Sequence, residues 1–326
     1  MLIFIPFLLG FLLSLLLTKP CLALLYKLKL GQKILDDTPE NHRKKSGTPT
    51  MGGIIFIISI VLTAVIFVLC TQDRSFLRED YFPLVLFPVL MGCVGLADDY
   101  LTVHPKNGVR GIKSLPKAII QAVITVAFVC WLAFSQSKAF NICGLHLTGI
   151  WYVIIVSFII TGYINFTNLT DGLDGLLAGI VFIIGISFGL TFYGLPFYEM
   201  FFFPVLAGMC LAFLVTNSNP AKVFMGDTGS LFLGAYLMAL SFYFDIEWMV
   251  FIASGWIILE GFSVIIQWAY FKITKKIYGE GKRIFRCSPI HHHFEMLGYP
   301  EQKITVNAWI ITVVLCMVAF IAGFFC

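Results

Sequence analysis

Five short segments of this chain hold most of the residues that could do chemistry. The first is Gly95-Leu96-Ala97-Asp98-Asp99-Tyr100. Adjacent carboxylates repel unless a cation or basic side chains neutralise them. Lys106, Arg110, Lys113 and Lys117 follow closely. Such a pair suits a base, or a metal-associated pair beside a phosphate cradle. A solvated helix end is the plainer alternative. The second segment is Asn165-Phe166-Thr167-Asn168-Leu169-Thr170-Asp171-Gly172-Leu173-Asp174-Gly175. It is dense in oxygen ligands and has no Lys or Arg, which favours a hard cation. Its glycines allow a tight turn and close approach to a ligand, although an ordinary polar turn uses the same residue types.

The third segment runs from Asn217 to Ser230 and contains Phe224-Met225-Gly226-Asp227-Thr228-Gly229-Ser230. Asp227 opens an apolar helix, where a capping role would explain it alone. The acidic loops expected on the same face argue for more. The fourth is Phe285-Arg286-Cys287-Ser288-Pro289-Ile290-His291-His292-His293-Phe294-Glu295. Three consecutive histidines do not easily face one ion, and neither His-x-x-x-His nor Cys-x-x-Cys accompanies them. Phosphate or sugar binding, with Arg286 and Lys282, fits better. The fifth, Lys44-Lys45-Ser46-Gly47-Thr48-Pro49-Thr50-Met51-Gly52-Gly53, suits an anion near a helix N-terminus. Its lysines alone also fit a membrane anchor. Glu260 lies mid-way through an apolar run. A buried partner or a water-lined break would account for it.

The elements that position these segments are membrane helices. Of 326 residues, 59% are hydrophobic and 12% charged, about half the charged share of a soluble domain. Mean hydropathy is +0.91. The apolar runs have the length of spanning helices, not of alternating barrel strands. The expected fold is an all-α integral membrane protein forming a single polytopic domain over 1–326. Ten helices are predicted near 2–26, 51–70, 82–97, 115–134, 149–164, 174–192, 198–217, 229–243, 248–271 and 304–325. The first reads as a retained helix, since no basic n-region or cleavage site marks a signal peptide. The nine cysteines lie mostly in apolar runs and read as small buried hydrophobes.

Charge sets the expected orientation. Loops 27–50, 98–117, 218–228 and 272–303 hold eighteen of the 22 Lys and Arg. By the positive-inside rule they face the cytoplasm. Ten crossings then put both termini outside. Every segment described above falls on the cytoplasmic side, so a substrate arrives from there.

Together the segments resemble the polyprenyl-phosphate N-acetylhexosamine-1-phosphate transferase superfamily. The likeness runs from Thr48-Pro49-Thr50-Met51-Gly52-Gly53 to the last helix. Within the superfamily, Pro289-Ile290-His291-His292-His293-Phe294-Glu295 is similar to the mark of the phospho-N-acetylmuramoyl-pentapeptide transferase branch. The resemblance implies transfer of phospho-MurNAc-pentapeptide from UDP-MurNAc-pentapeptide to undecaprenyl phosphate. The products would be lipid I and UMP, and the cofactor Mg²⁺. This would be the first membrane step of peptidoglycan synthesis, at the bacterial plasma membrane, and the family implies a homodimer with no nucleic-acid partner.

Residue by residue, Asp227 matches the family's magnesium aspartate and Asn168 its amide partner. Asp98 matches the residue proposed to deprotonate the lipid phosphate, with Asp99 beside it. Lys117 matches a phosphate-handling lysine. Lys45, Asp171, Asp174, Asn217 and Phe224 match positions lining the nucleoside pocket, and Thr50, Leu169 and Gly172 lie in the motifs around it. His291 and His292 match the donor-side histidines. Two positions depart from the pattern: Thr102 stands where many members have Lys, and Cys287-Ser288 where Met-Ala is usual. A sister enzyme using UDP-GlcNAc is the nearest alternative. A cation-coupled transporter is another, since intramembrane acids mark ion paths, but the acids here crowd one face.

Overall fold

The computed structural model describes residues 4–28, 47–71, 81–105, 111–142, 145–191 and 201–325. Lys45, Lys106 and Arg110 lie outside them. The described chain is mostly helical. Its helices are α1 (Phe4–Lys27), α2 (Ile54–Thr71), α3 (Phe82–Val103), α4 (Ser114–Phe134), α5 (Gly149–Thr170), α6 (Leu176–Thr191), α7 (Phe202–Asn217), α8 (Gly226–Tyr243), α9 (Glu247–Ala253), α10 (Gly255–Tyr278), α11 (Ile290–Met296) and α12 (Glu301–Phe325). Six of them, α1, α3, α4, α5, α10 and α12, are long and apolar enough to cross a bilayer. Helices α2, α6 and α7 are apolar but shorter.

Helix α8 is the centre of the assembly. Every residue from Thr228 to Phe242 is buried, and a helix enclosed on all sides is a core helix. It packs most heavily against α3 and next against α5. Gly95 makes the first contact possible, because a Cβ there would collide with the backbone of Asp227 and Thr228. Small residues let membrane helices approach this closely, where lipid supplies no hydrophobic drive for association. Aromatic packing fills the remaining space, as where Phe56 stacks on Phe232 at 6.0 Å and meets Phe213 at 5.0 Å. Buried polar side chains pair between helices. Ser14 Oγ donates to Ser59 Oγ at 2.8 Å, joining α1 to α2. Asn165 donates to Gln121 at 3.1 Å, joining α5 to α4.

The structure corrects the sequence expectation at four places. The run predicted as one helix over 248–271 is two, α9 and α10, divided at Ser254. A Ser-Gly pair is a usual site for such a break. Here Ser254 Oγ bonds back to Val250 O at 2.6 Å and accepts from Tyr163 OH at 2.7 Å. Helices α3 and α5 run on to Val103 and Thr170, so Asp98, Asp99, Asn168 and Leu169 sit on helices instead of loops. Helix α8 starts at Gly226, which puts Asp227 in its first turn and Met225 at the cap position. A two-stranded antiparallel hairpin, β1 (Phe140–Ile142) and β2 (Leu145–Leu147), pairs Phe140 with Leu147 in an otherwise helical fold. Three-residue strands are too short to show a period of two.

Candidate active site

The site is built where the polar end of α3 meets the start of α8. Gly226 has φ +68°, in the left-handed region that glycine tolerates best. A Cβ there would also strike Asp99 and Thr50. The turn is fixed further by segment 49–53: Phe224 N donates to Pro49 O at 2.9 Å, Gly52 N to Phe224 O at 2.9 Å, and Gly53 N to Met225 O at 3.0 Å. Thr50 is buried beside it and Phe224 is half-buried.

Asp99 caps α8 from outside that helix. Its carboxylate accepts the N–H of Asp227 at 3.1 Å, the N–H of Thr228 at 3.0 Å and the hydroxyl of Thr228 at 2.6 Å. The first N–H groups of a helix have no partner within it, and a carboxylate there also meets the positive end of the helix dipole. The capping role considered for Asp227 therefore belongs to Asp99. The Asp227 carboxylate is turned instead to Lys117 and Asn168.

That carboxylate meets Lys117 and Asn168. Lys117, in the first turn of α4, forms an ion pair with Asp227 and a second with Asp98 at 3.1 Å. Asp98 also accepts the N–H of Ile112 at 2.6 Å. Asn168 Nδ2 donates to Asp227 at 2.8 Å and to Ser230 Oγ at 2.9 Å. One connected chain, Asp98–Lys117–Asp227–Asn168, thus joins four helices. The expected residues Asp98, Lys117, Asp227 and Asn168 are brought together, with Asp99 immediately behind.

Asp171 and Gly172 form the turn after α5, next to this chain. Burial, and then the charges of Asp227, Asp99 and Asp174, push the Asp171 carboxyl well above its ordinary range. Its carboxylate accepts no hydrogen bond among the described residues. Leu169 is half-buried on the last turn of α5.

Asp174 and Asn217 sit deeper and bind protein atoms. Asp174 accepts from Asn219 Nδ2 at 3.2 Å and from Ala221 N at 3.0 Å, while its own N–H donates to Glu301 at 2.7 Å. Asn217 accepts from Gly175 N at 3.1 Å and donates to Val223 O at 2.9 Å. These two clamp the 171–175 and 218–223 loops to the start of α12. The clamp residues Asn219 and Glu301, and the hydroxyls of Thr228 and Ser230, are site components that the sequence reading did not assign. Thr228 and Ser230 could have been suspected from their place in the Asp227 motif.

The three histidines turn to different partners. His291 Nδ1 meets Glu260 at 3.0 Å, His292 Nδ1 meets Glu295 at 2.6 Å, and His293 Nδ1 accepts the N–H of Arg286 at 3.1 Å. Arg286 donates its guanidinium to Met296 O at 3.0 Å. A Cβ at Gly172 would collide with the His291 ring, so His291 reaches the Asp171–Gly172 turn.

Among the described residues no three His, Cys, Asp or Glu side chains converge as a metal cage. What converges is one carboxylate, Asp227, with the Asn168 amide, whose oxygen accepts no hydrogen bond among the described residues. Mg²⁺ is commonly held by one or two carboxylates, with water and substrate phosphate completing the shell. The donor set fits that habit.

Residues 81–245 match the pattern of the family described as glycosyl transferase family 4. Fold and match together define a helical membrane transferase of that class. Residues 45–57 match signature 1 of the phospho-N-acetylmuramoyl-pentapeptide-transferases. A protein of that name from Bacillus velezensis is 40% identical over 305 residues, covering 92% of this chain and 91% of its own. Another from Bacillus subtilis is 39% identical over 307 residues, covering 93% and 92%. A third from Prochlorococcus marinus is 38% identical over 333 residues, covering 97% and 88%. The chain belongs to the phospho-N-acetylmuramoyl-pentapeptide-transferase family.

Proposed function

We propose that this protein transfers phospho-MurNAc-pentapeptide from UDP-MurNAc-pentapeptide to undecaprenyl phosphate, giving lipid I and UMP in a Mg²⁺-dependent reaction. The observation that carries the reading is the chain Asp98–Lys117–Asp227–Asn168 at the ends of apolar helices. A lipid acceptor needs a site at the membrane edge, and a nucleotide donor needs that edge to face the cytoplasm. The protein works in the bacterial plasma membrane, with ten crossings, both termini outside and a second copy as its dimer partner.

In this reading a lipid-phosphate oxygen attacks the phosphorus attached to the sugar, and the bond to UMP breaks. Asp98 takes the proton of the acceptor phosphate, whose second pKa is about 6 for a phosphomonoester. Lys117 holds Asp98 and Asp227 in register and offsets the charge of incoming phosphates. Asp227 and Asn168 would hold Mg²⁺, which when bound would supply positive charge to the pyrophosphate. Asp99 fixes the start of α8 and hence the direction of Asp227. Thr50, Leu169, Asp171, Gly172 and Phe224 line the nucleoside side, where Phe224 stacks on uracil, and the family resemblance adds Lys45 as a donor contact. Asp174 and Asn217 hold that pocket's loops. His291 and His292 meet the sugar-peptide side of the donor.

The test is a donor comparison with purified protein, undecaprenyl phosphate and Mg²⁺. The reading expects lipid I and UMP from UDP-MurNAc-pentapeptide and no product from UDP-GlcNAc. Turnover of UDP-GlcNAc alone would assign the protein to a sister activity.

A further inference from the structure

Glu260 and His291 are both fully buried. Glu260 projects from α10 and His291 from α11. One oxygen, Glu260 Oε2, meets both His291 Nδ1 at 3.0 Å and the backbone N–H of His291 at 3.3 Å. An oxygen that receives a backbone N–H acts there as an acceptor. An ionised Glu260 carboxylate, which can only accept, would put the proton of that side of the ring on Nδ1. With the hydrogen on Nδ1, the neutral ring carries a lone pair at Nε2.

His291 Nε2 is buried and makes no hydrogen bond, and the same holds for Glu260 Oε1. Buried polar atoms are rarely left this way, and each exception asks for an explanation. Nε2 lies against Gly172, where any side chain would collide with the ring. The unpartnered atom is thus aimed at the turn that carries Asp171, beside Asp227. The two halves of the arrangement come from distant parts of the chain, and only a glycine at 172 lets them meet.

We infer that Glu260 is a positioning residue: it fixes His291 in the Nδ1–H form, so that Nε2 offers a lone pair to an O–H or N–H of the bound donor. This rests on the proposed transferase reading and goes beyond it, since it names the group that orients the histidine and the kind of ligand atom that meets it. A lone pair accepts from a sugar hydroxyl or a peptide amide. It does not accept from a fully ionised phosphate oxygen.

The test combines ¹⁵N spectra of ring-labelled histidine with steady-state kinetics, on the full chain in detergent or nanodiscs. His291→Gln identifies the His291 signals. Wild type should show Nδ1 protonated and Nε2 bare, and adding UDP-MurNAc-pentapeptide should shift the Nε2 signal in the direction of an accepted hydrogen bond. Glu260→Leu should release the ring into mixed forms and lower kcat roughly 10- to 100-fold, the scale found for groups that orient metal-site histidines. Glu260→Gln retains an acceptor oxygen, so it should keep the Nδ1–H form and recover most of the turnover. A wild-type ring protonated at Nε2, alone or together with Nδ1, would overturn the inference, as would an unchanged ring form in a folded Glu260→Leu. Should Glu260→Leu not fold, the wild-type ring form and Glu260→Gln still decide the matter. If the spectra agree but wild type makes no UMP from the muramyl donor, the transferase reading fails while the positioning role stands.

Discussion

Asp99 on α3 accepts both the N–H and the hydroxyl of Thr228 on α8, at 3.0 and 2.6 Å. The neighbouring carboxylates Asp98 and Asp99 therefore have separable jobs. Asp99→Ala should lower the stability of the detergent-solubilised protein by about 1–2 kcal/mol, the range for losing a helix cap. Asp98→Asn should leave the melting temperature close to wild type while lowering turnover. Melting curves for both variants check this. Equal stability losses would remove the distinction.

Asp227→Asn keeps the shape of the side chain and loses its charge. Turnover should fall by at least ~100-fold, the scale for removing a key electrostatic group. The residual rate should need more Mg²⁺ to saturate. Mg²⁺ titrations of UMP release check it. Full activity with unchanged Mg²⁺ dependence would leave Asp227 no role beyond packing.

Asp171 gives a pH signature. Its folded-state pKa is raised, by burial first and by Asp227, Asp99 and Asp174 after it. Between the ordinary carboxylate value and that raised value, the folded protein binds more protons than the unfolded chain. Stability from this group is thus present at low pH and is lost as pH rises through the window. Asp171→Asn should flatten that part of the stability–pH curve. Mg²⁺ binding nearby should release protons, which unbuffered titrations can count. A curve unaltered by the substitution would show that the Asp171 carboxyl is not raised in the folded protein.

Much of this site was readable in advance because carboxylates are rare in so apolar a chain. Asp98, Asp171 and Asp227 stand out against 59% hydrophobic residues, and the structure gathers them. The ends of α3 and α5 were not readable. Asn165 to Thr170 look like loop residues, yet Asn165, Thr167 and Thr170 bond back to Thr161, Tyr163 and Phe166 within the helix. Side-chain bonds of this kind let polar residues continue a helix at the membrane edge. The Asp174–Glu301 clamp joins residues 127 apart in sequence, so no local pattern announces it. The pairing of Glu260 with His291 was open only as an unnamed buried partner, because its geometry depends on the break at Ser254 and the turn before α11.

The proposed orientation rests on the basic loops. In a background lacking reactive native cysteines, a cysteine at Lys282 should resist an impermeant reagent applied from outside, while one at Lys138 should react. Reaction at Lys282 from the exterior would reverse the topology and move the site away from the nucleotide.

The proposed mechanism is direct transfer to a lipid phosphate deprotonated by Asp98. The measurement that tests it most directly is exchange of labelled UMP into UDP-MurNAc-pentapeptide by wild-type protein stripped of endogenous lipid, with Mg²⁺ present. The account expects exchange at background until undecaprenyl phosphate is added, and then exchange together with lipid I. Sustained exchange without any lipid phosphate would mean that a carboxylate of the protein takes the phospho-sugar first, and it would contradict direct transfer.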